Sequence, residues 1–243
     1  MRILKDQTFW TGAMSAFAIV FFALFVGMAT DKVAFNNSGS AQPIAGAGAP
    51  AAAPGGYGEP AAPVEITVSE VTDADFVRGD RDAKVSVVEF SDIDCPFCAR
   101  FHETMKKVLA SYEGQINWVY RDFPLDSLHP QATAKAVAAD CVGKLTDNDT
   151  YWKYLDALFV GSAADEVTAE ATKLGVDAAA FEACQQDPEM TQAVKDEMAE
   201  GAAAGAQGTP YSVIVVGDET IPVNGAVPEA QLIASIEQAL ALQ

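Results

Sequence analysis

The sequence is poor in cations. It holds 15 Lys and Arg against 34 Asp and Glu, a net charge of −19. No basic cluster occurs beyond Arg2 and Lys5 near the start, so a nucleic-acid partner is excluded: its phosphates would be repelled. Histidine is scarce as well, with His102 and His129 the only two. Cysteine is limited to four, and only one pair is closely spaced, which argues against a dedicated zinc site. No GxSxG, phosphate-binding loop or paired-carboxylate motif is present, which removes the common hydrolase and nucleotide-binding signatures.

The closely spaced pair is Cys95-Pro96-Phe97-Cys98, and the chain is organised around it. Upstream, Val85–Phe90 is short, apolar and β-branched and predicts a buried strand. Downstream, Phe101, Met105, Val108, Leu109 and Tyr112 recur at helical spacing over 97–112. Pro96 suits the first helical position, where a missing N–H costs nothing. Cys95 then falls at the N-cap, where unpaired N–H groups and the positive end of the helix dipole favour a thiolate. Cys98, one turn inside, can resolve a mixed disulfide formed at Cys95. A structural disulfide or half of a metal site is the competing reading of the same spacing.

Residues 9–29 carry no charge and as a helix would span about 31 Å, close to a bilayer core. Arg2 and Lys5 before them predict a cytoplasmic N-terminus and export of the remaining chain. Length favours an uncleaved transmembrane anchor. Gly27-Met28-Ala29 also fits a signal-peptidase site, so 1–30 is an anchor or a signal segment. Either way the rest is extracytoplasmic, in the periplasm or on the outer face of the membrane, where disulfides persist. Residues 31–63, rich in Ala, Gly and Pro over 36–63, predict a flexible linker.

The folded part spans 64–243. Val64–Val68 alternates and predicts an edge strand, and 72–84 predicts a loop with a helical turn at Asp73–Val77. The strand at 85–90, the helix at 97–112 and a strand at 116–121 predict a parallel βαβ unit. Helices come next over 130–143, where Ala134, Val137, Ala138 and Cys141 share a face, then over 150–160, 165–174 and 177–186. Another opens at Asp187-Pro188. This helical block, about 129–206, interrupts the sheet. A hairpin over 211–216 and 219–223 resumes it, with Pro222 marking an edge, and a last helix covers 228–242. Trp118, Tyr120 and Trp152 read as core, His102 as a surface residue of the helix after Cys95.

The segments VVEFSDIDCPFC, RDFPLDSLHPQATAKAVAADC and GTPYSVIV resemble, in order and spacing, the DsbA-type thiol–disulfide oxidoreductases. The resemblance covers about 64–243. It implies an α/β class: a thioredoxin-like mixed sheet with an inserted all-α subdomain. It implies Cys95 as nucleophile and Cys98 as resolving cysteine, and a cis bond at Thr209-Pro210, where Gly208-Thr209-Pro210 alone leaves cis and trans open. Such a bond exposes the backbone of Thr209 to pair with an extended substrate. It also implies an acidic relay at Glu89, on the Val85 and Val87 face, and a structural Cys141–Cys184 disulfide in the helical block. Two inert buried thiols are the alternative for that pair. His129-Pro130 matches a family motif and reads as a loop or helix-start element.

The activity implied is protein disulfide formation in reduced exported proteins. The Cys95–Cys98 pair carries the electrons without a cofactor, and a quinone-linked membrane partner reoxidises it. Phe97 stands where the most oxidising relatives carry histidine, which predicts a milder oxidant. A reductase or isomerase of the same fold is the alternative. A tethered Cu(I)- or zinc-binding module is the alternative of another class.

Overall fold

The computed structural model describes residues 66–160 and 166–243. The anchor over 9–29 and the linker over 31–63 lie outside them. Among the described residues no helix is long and apolar enough to cross a membrane.

A five-stranded mixed sheet carries the fold. Its strands are β1 (Val77–Gly79), β2 (Val85–Ser91), β3 (Ile116–Asp122), β4 (Tyr211–Val216) and β5 (Glu219–Asn224), in the order β1-β3-β2-β4-β5. β2 and β3 run parallel, joined by helix α1 (Pro96–Ser111), and the other pairings are antiparallel. β2 is central and apolar on both faces, as a strand covered on both sides must be. Val85 and Val87 belong to the larger core with Phe101, Met105, Trp118 and Ile214. Val88 and Phe90 belong to the opposite one with Val119, Tyr211 and Val213.

Among the described residues, five helices fall between β3 and β4: α2 (Ala132–Leu145), α3 (Asn148–Phe159), α4 (Val167–Lys173), α5 (Ala178–Gln185) and α6 (Pro188–Ala203). Three of their starts come from local chemistry. The Asp147, Asp177 and Asp187 carboxylates accept from the Thr150, Ala180 and Glu189 amides at 2.8, 2.9 and 3.0 Å. α7 (Glu229–Leu240) closes the chain and lays Leu232 and Ile236 on the core. The β4–β5 hairpin turns at Gly217, whose φ of 56° suits glycine, and Pro222 sits in β5 at the sheet edge.

Four expectations are corrected. The first strand is not at 64–68: Val64 and Glu65 lie outside the described residues, and Ile66–Val68 is not a strand. Ile66 and Val68 instead pack on the smaller core. The edge strand is β1, within the stretch read as a loop. Partner geometry places it, since Val77 and Gly79 pair with Val119 and Asn117 of β3. The turn before it ends at Asp75 rather than continuing to Val77, because the Asp75 carboxylate accepts from the Thr72 amide at 2.7 Å and closes it. Ala134 is exposed, and Ala136, Val137 and Ala138 are buried, because the helices packed on α2 cover Ala136 to Ala138 and leave the Ala134 position open.

The fourth concerns His102, which is buried. Its Nε2 lies 2.6 Å from Asp156 of α3, and its ring packs between Trp118 and Phe159, with centroids 4.8 and 4.4 Å away. Arg78 of β1 grips the same carboxylate with two N–H groups at 2.9 and 2.8 Å. Together they pin α1 to α3. Cys141 and Cys184 form a disulfide with a 2.05 Å S–S bond, which joins α2 to α5.

Candidate active site

β2 ends under the N-terminus of α1, and the turn between them delivers Cys95. The Cys95 amide donates to the Asp92 carbonyl at 3.0 Å, and Pro96 opens the helix with Cys95 as N-cap. Asp92 is buried and fixes this turn. One of its oxygens accepts from the Asp94 amide at 2.8 Å. The other accepts from the Leu125 amide and lies by His129 Nδ1, both at 2.8 Å. His129 thus belongs to the loop before α2, as its motif implied, and also braces the turn before Cys95. The Asp92 contact holds its pKa above the ordinary value, and the nearby Cys95 charge acts in the same direction.

The two sulfurs differ sharply. Both are free thiols; Cys95 keeps 5 % exposure and Cys98 none. The Cys95 thiol is pulled down to about 5. The Cys98 thiol, hydrogen-bonding to its thiolate, is the main cause. The amides of Cys98 and Phe97 and the Thr209 side chain add to this, while burial opposes it. The helix-end amides named from sequence therefore contribute, but the neighbouring sulfur leads. Cys98 is pushed far up by burial, then by Cys95 and by the charge of Glu89.

Thr209-Pro210 is a cis bond, and it brings the other wall of the site to the nucleophile. The Cys95 thiol donates to the Thr209 carbonyl at 3.7 Å. Phe97 points outward, 55 % exposed, with the Arg100 guanidinium 5.0 Å over its ring, so it offers no polar group to the sulfur.

Glu89 is fully buried on the Val85 and Val87 face. Its Oε1 accepts from the Ser91 hydroxyl at 2.7 Å and its Oε2 from Trp118 Nε1 at 2.9 Å. Burial raises it to about 7, and these two bonds hold it from rising further. Its charge is felt at Cys98. Sequence reasoning missed Ser91 and Asp92. Alternation along β2 was the available signal for Ser91, since it shares the Glu89 face.

A second acidic group involves the buried Asp122 of β3 and the half-buried Asp140 of α2 and Glu197 of α6. Burial and mutual repulsion raise Glu197 to about 8, burial raises Asp140 to about 7, and Asp122 is raised well above its ordinary value. Among the described residues, no group of three or more His, Cys, Asp and Glu side chains is arranged to hold a metal ion.

A family profile described as Thioredoxin matches residues 71–237. The chain belongs to the thioredoxin family. Solved structures share its fold. Over 70 % of this chain and 96 % of the other, it is similar to DsbA2 of Pseudomonas aeruginosa, with 24 % identity and a TM-score of 0.60. A thioredoxin-like oxidoreductase from Silicibacter pomeroyi is 27 % identical, with a TM-score of 0.59 over 69 % of this chain and 93 % of that one. Among curated relatives, the Na(+)/H(+) antiporter NhaA 1 of Salinispora arenicola is 35 % identical over 95 residues, 39 % of this chain. The chain spans only 14 % of that relative's length, so the shared part is a short piece of a much longer protein. The CxxC motif and the cis-proline wall lie together at one end of the sheet, in a chain of the thioredoxin family.

Proposed function

We propose that the domain works outside the cytoplasm as a thiol oxidant, introducing disulfides into reduced exported proteins. Residues 9–29 would anchor it and 31–63 tether it. The observation that carries this reading is the contrast between the two sulfurs: an acidic Cys95 at the surface end of α1 and a fully buried Cys98. A stabilised Cys95 thiolate favours the reduced enzyme, and so makes the Cys95–Cys98 disulfide an acceptor of electrons.

A substrate thiolate attacks Cys95 Sγ of the oxidised pair. The Cys95–Cys98 bond breaks, a substrate–Cys95 bond forms, and Cys98 leaves as a thiolate that takes a proton from Glu89. A second substrate thiolate then attacks the substrate sulfur of the mixed disulfide and expels Cys95 as a stable thiolate. The substrate loses two electrons, and the enzyme gains them. The Thr209 backbone pairs with the substrate beside Cys95, and Pro96 sets the helix start. Phe97 withholds a polar partner and keeps the oxidant mild. A quinone-linked membrane partner returns the pair to the disulfide.

A Cys98→Ser variant should accumulate mixed disulfides with exported proteins through Cys95, and thiol trapping in the cell should find wild-type Cys95 and Cys98 mostly oxidised. A pair held reduced in the cell, with a potential near thioredoxin's value of about −270 mV, would instead mark a reductase.

A further inference from the structure

Lysine is rarely buried unless paired, and a cation is disfavoured in the first turn of a helix, where the dipole is positive. Lys135 goes against both rules: it is 8 % exposed and is the fourth residue of α2. Its Nζ lies 2.5 Å from Asp94 Oδ1, and Asp94 directly precedes Cys95. We propose that Lys135 is a positioning residue for Cys95 that acts through Asp94, holding that carboxylate and offsetting its charge beside the reactive sulfur. This rests on the exchange reading and adds to it a residue from the helical block.

The turn before Cys95 carries two carboxylates, and each meets a basic side chain from the stretch that leads into and opens α2. Asp92 is buried and holds the Asp94 and Leu125 amides and His129 Nδ1, all at 2.8 Å. Asp94 is half-buried and pairs with Lys135. Consecutive Cα atoms stand about 3.8 Å apart, so the Asp94 side chain springs from the position next to the sulfur's own. In a place this far removed from water, a bare carboxylate is weakly screened and opposes a thiolate beside it. The Lys135 ammonium group counters that field. The turn itself does not depend on the pair, because the Cys95 amide bonds the Asp92 carbonyl and the Asp94 amide bonds the Asp92 carboxylate. What Lys135 supplies is charge.

In the exchange Lys135 gives up no proton. When the substrate disulfide forms and the mixed disulfide breaks, Cys95 leaves as a thiolate. The negative charge it then carries meets a carboxylate already neutralised.

The test uses the purified full chain, fully reduced and alkylated with iodoacetamide across a range of pH, with Cys95 identified by mass. Lys135→Met should move the half-maximal rate to higher pH and slow Cys95 on the acid limb by at least about threefold, the effect of half a unit. Asp94→Asn leaves the lysine without its carboxylate and should move Cys95 the opposite way, to lower pH. The double variant should return to within about twofold of wild type, and Lys135→Arg should keep the wild-type profile. Glu89, Asp92, Cys98 and His129 also surround the sulfur or its turn. They are present in every variant, so each rate is read as a ratio to wild type at the same pH.

The opposed signs separate charge from packing. Both single variants break the same ion pair, so a merely structural role would move Cys95 in one direction in both. Lys135→Met at the wild-type rate throughout would overturn the proposal, as would Asp94→Asn left unmoved or shifted to higher pH. Should Lys135→Met not fold, Asp94→Asn decides alone by the same criterion. The exchange reading has its own test in the trapped Cys98→Ser complex. A trapped complex beside an unmoved Lys135→Met would remove only the role given to Lys135.

Discussion

The Cys95 thiol lies 3.7 Å from the carbonyl oxygen of Thr209, a residue 114 positions further along the chain. One comes from the turn between β2 and α1, the other from the segment that opens β4, and β2 and β4 are neighbours in the sheet. The sheet order thus puts the reactive sulfur beside the backbone edge proposed to receive a substrate strand.

The acidity of Cys95 should depend more on Cys98 than on the helix end. The Cys98 thiol is the leading cause of the low value near 5. Cys98→Ala should therefore raise the Cys95 pKa by at least about one unit, a loss of about 1.4 kcal/mol of thiolate stabilisation. Cys98→Ser, which still donates a hydrogen bond, should raise it less. Thiolate absorbance against pH checks the order; equal values for the two variants would return the leading role to the amides.

Glu197 should make the oxidised protein less stable as pH rises. Its folded pKa is raised to about 8 from an ordinary value of 4.5. The folded state therefore holds a proton that the unfolded chain has released. That stabilisation is complete below the ordinary value and is lost as pH climbs towards 8. Glu197→Gln should flatten the stability curve over this window and stabilise the protein near pH 8 by about 1 to 3 kcal/mol. Denaturant melts of the oxidised protein near pH 5 and near pH 8 read the difference, and an unchanged slope would show that Glu197 is ionised within the fold.

Gly143 has no room for a side chain. A Cβ there would lie 2.1 Å from Phe76 Cζ, and Phe76 is stacked on Tyr151 with ring centroids 3.7 Å apart. Gly143→Ala should cost about 1 to 3 kcal/mol through overpacking, seen as a lower melting temperature. Cys95 acidity should not move.

The Cys141–Cys184 bridge closes a 43-residue span, which in chain-entropy terms stabilises the fold by up to about 4 kcal/mol. Replacing both cysteines by alanine should lower the denaturant midpoint by a corresponding amount. Dithiol reactivity at Cys95 should survive, because the bridge joins α2 to α5 and not the turn that carries the nucleophile.

Legibility in the sequence tracked the range of the interactions. β2, α1, β3, the hairpin and α7 were readable because their patterns are local and strong: apolar runs, helical spacing, Pro96 at a helix start, Gly217 at a turn. β1 was hidden because three residues carry no period, and its place is set by pairing with β3. His102 was misread because its partner Asp156 is 54 positions away, beyond any local pattern. The Asp122, Asp140 and Glu197 group draws on three separate elements and left no trace in spacing. Of the site itself, Cys95 and Cys98 stood out by motif and Glu89 through the family resemblance, with alternation giving only its face. Ser91 was on view in the same alternating strand and went unread, because nothing local distinguishes a hydroxyl that bonds a buried carboxylate from a packed one.

The most direct measurement is alkylation of the fully reduced protein as a function of pH, with the modified cysteine identified by mass. Cys95 alone should react, with a half-maximal rate near pH 5, while Cys98 stays protected. A Cys95 that titrates near its ordinary value of 9.0, or a Cys98 that reacts equally fast, would contradict the division of labour between the two sulfurs.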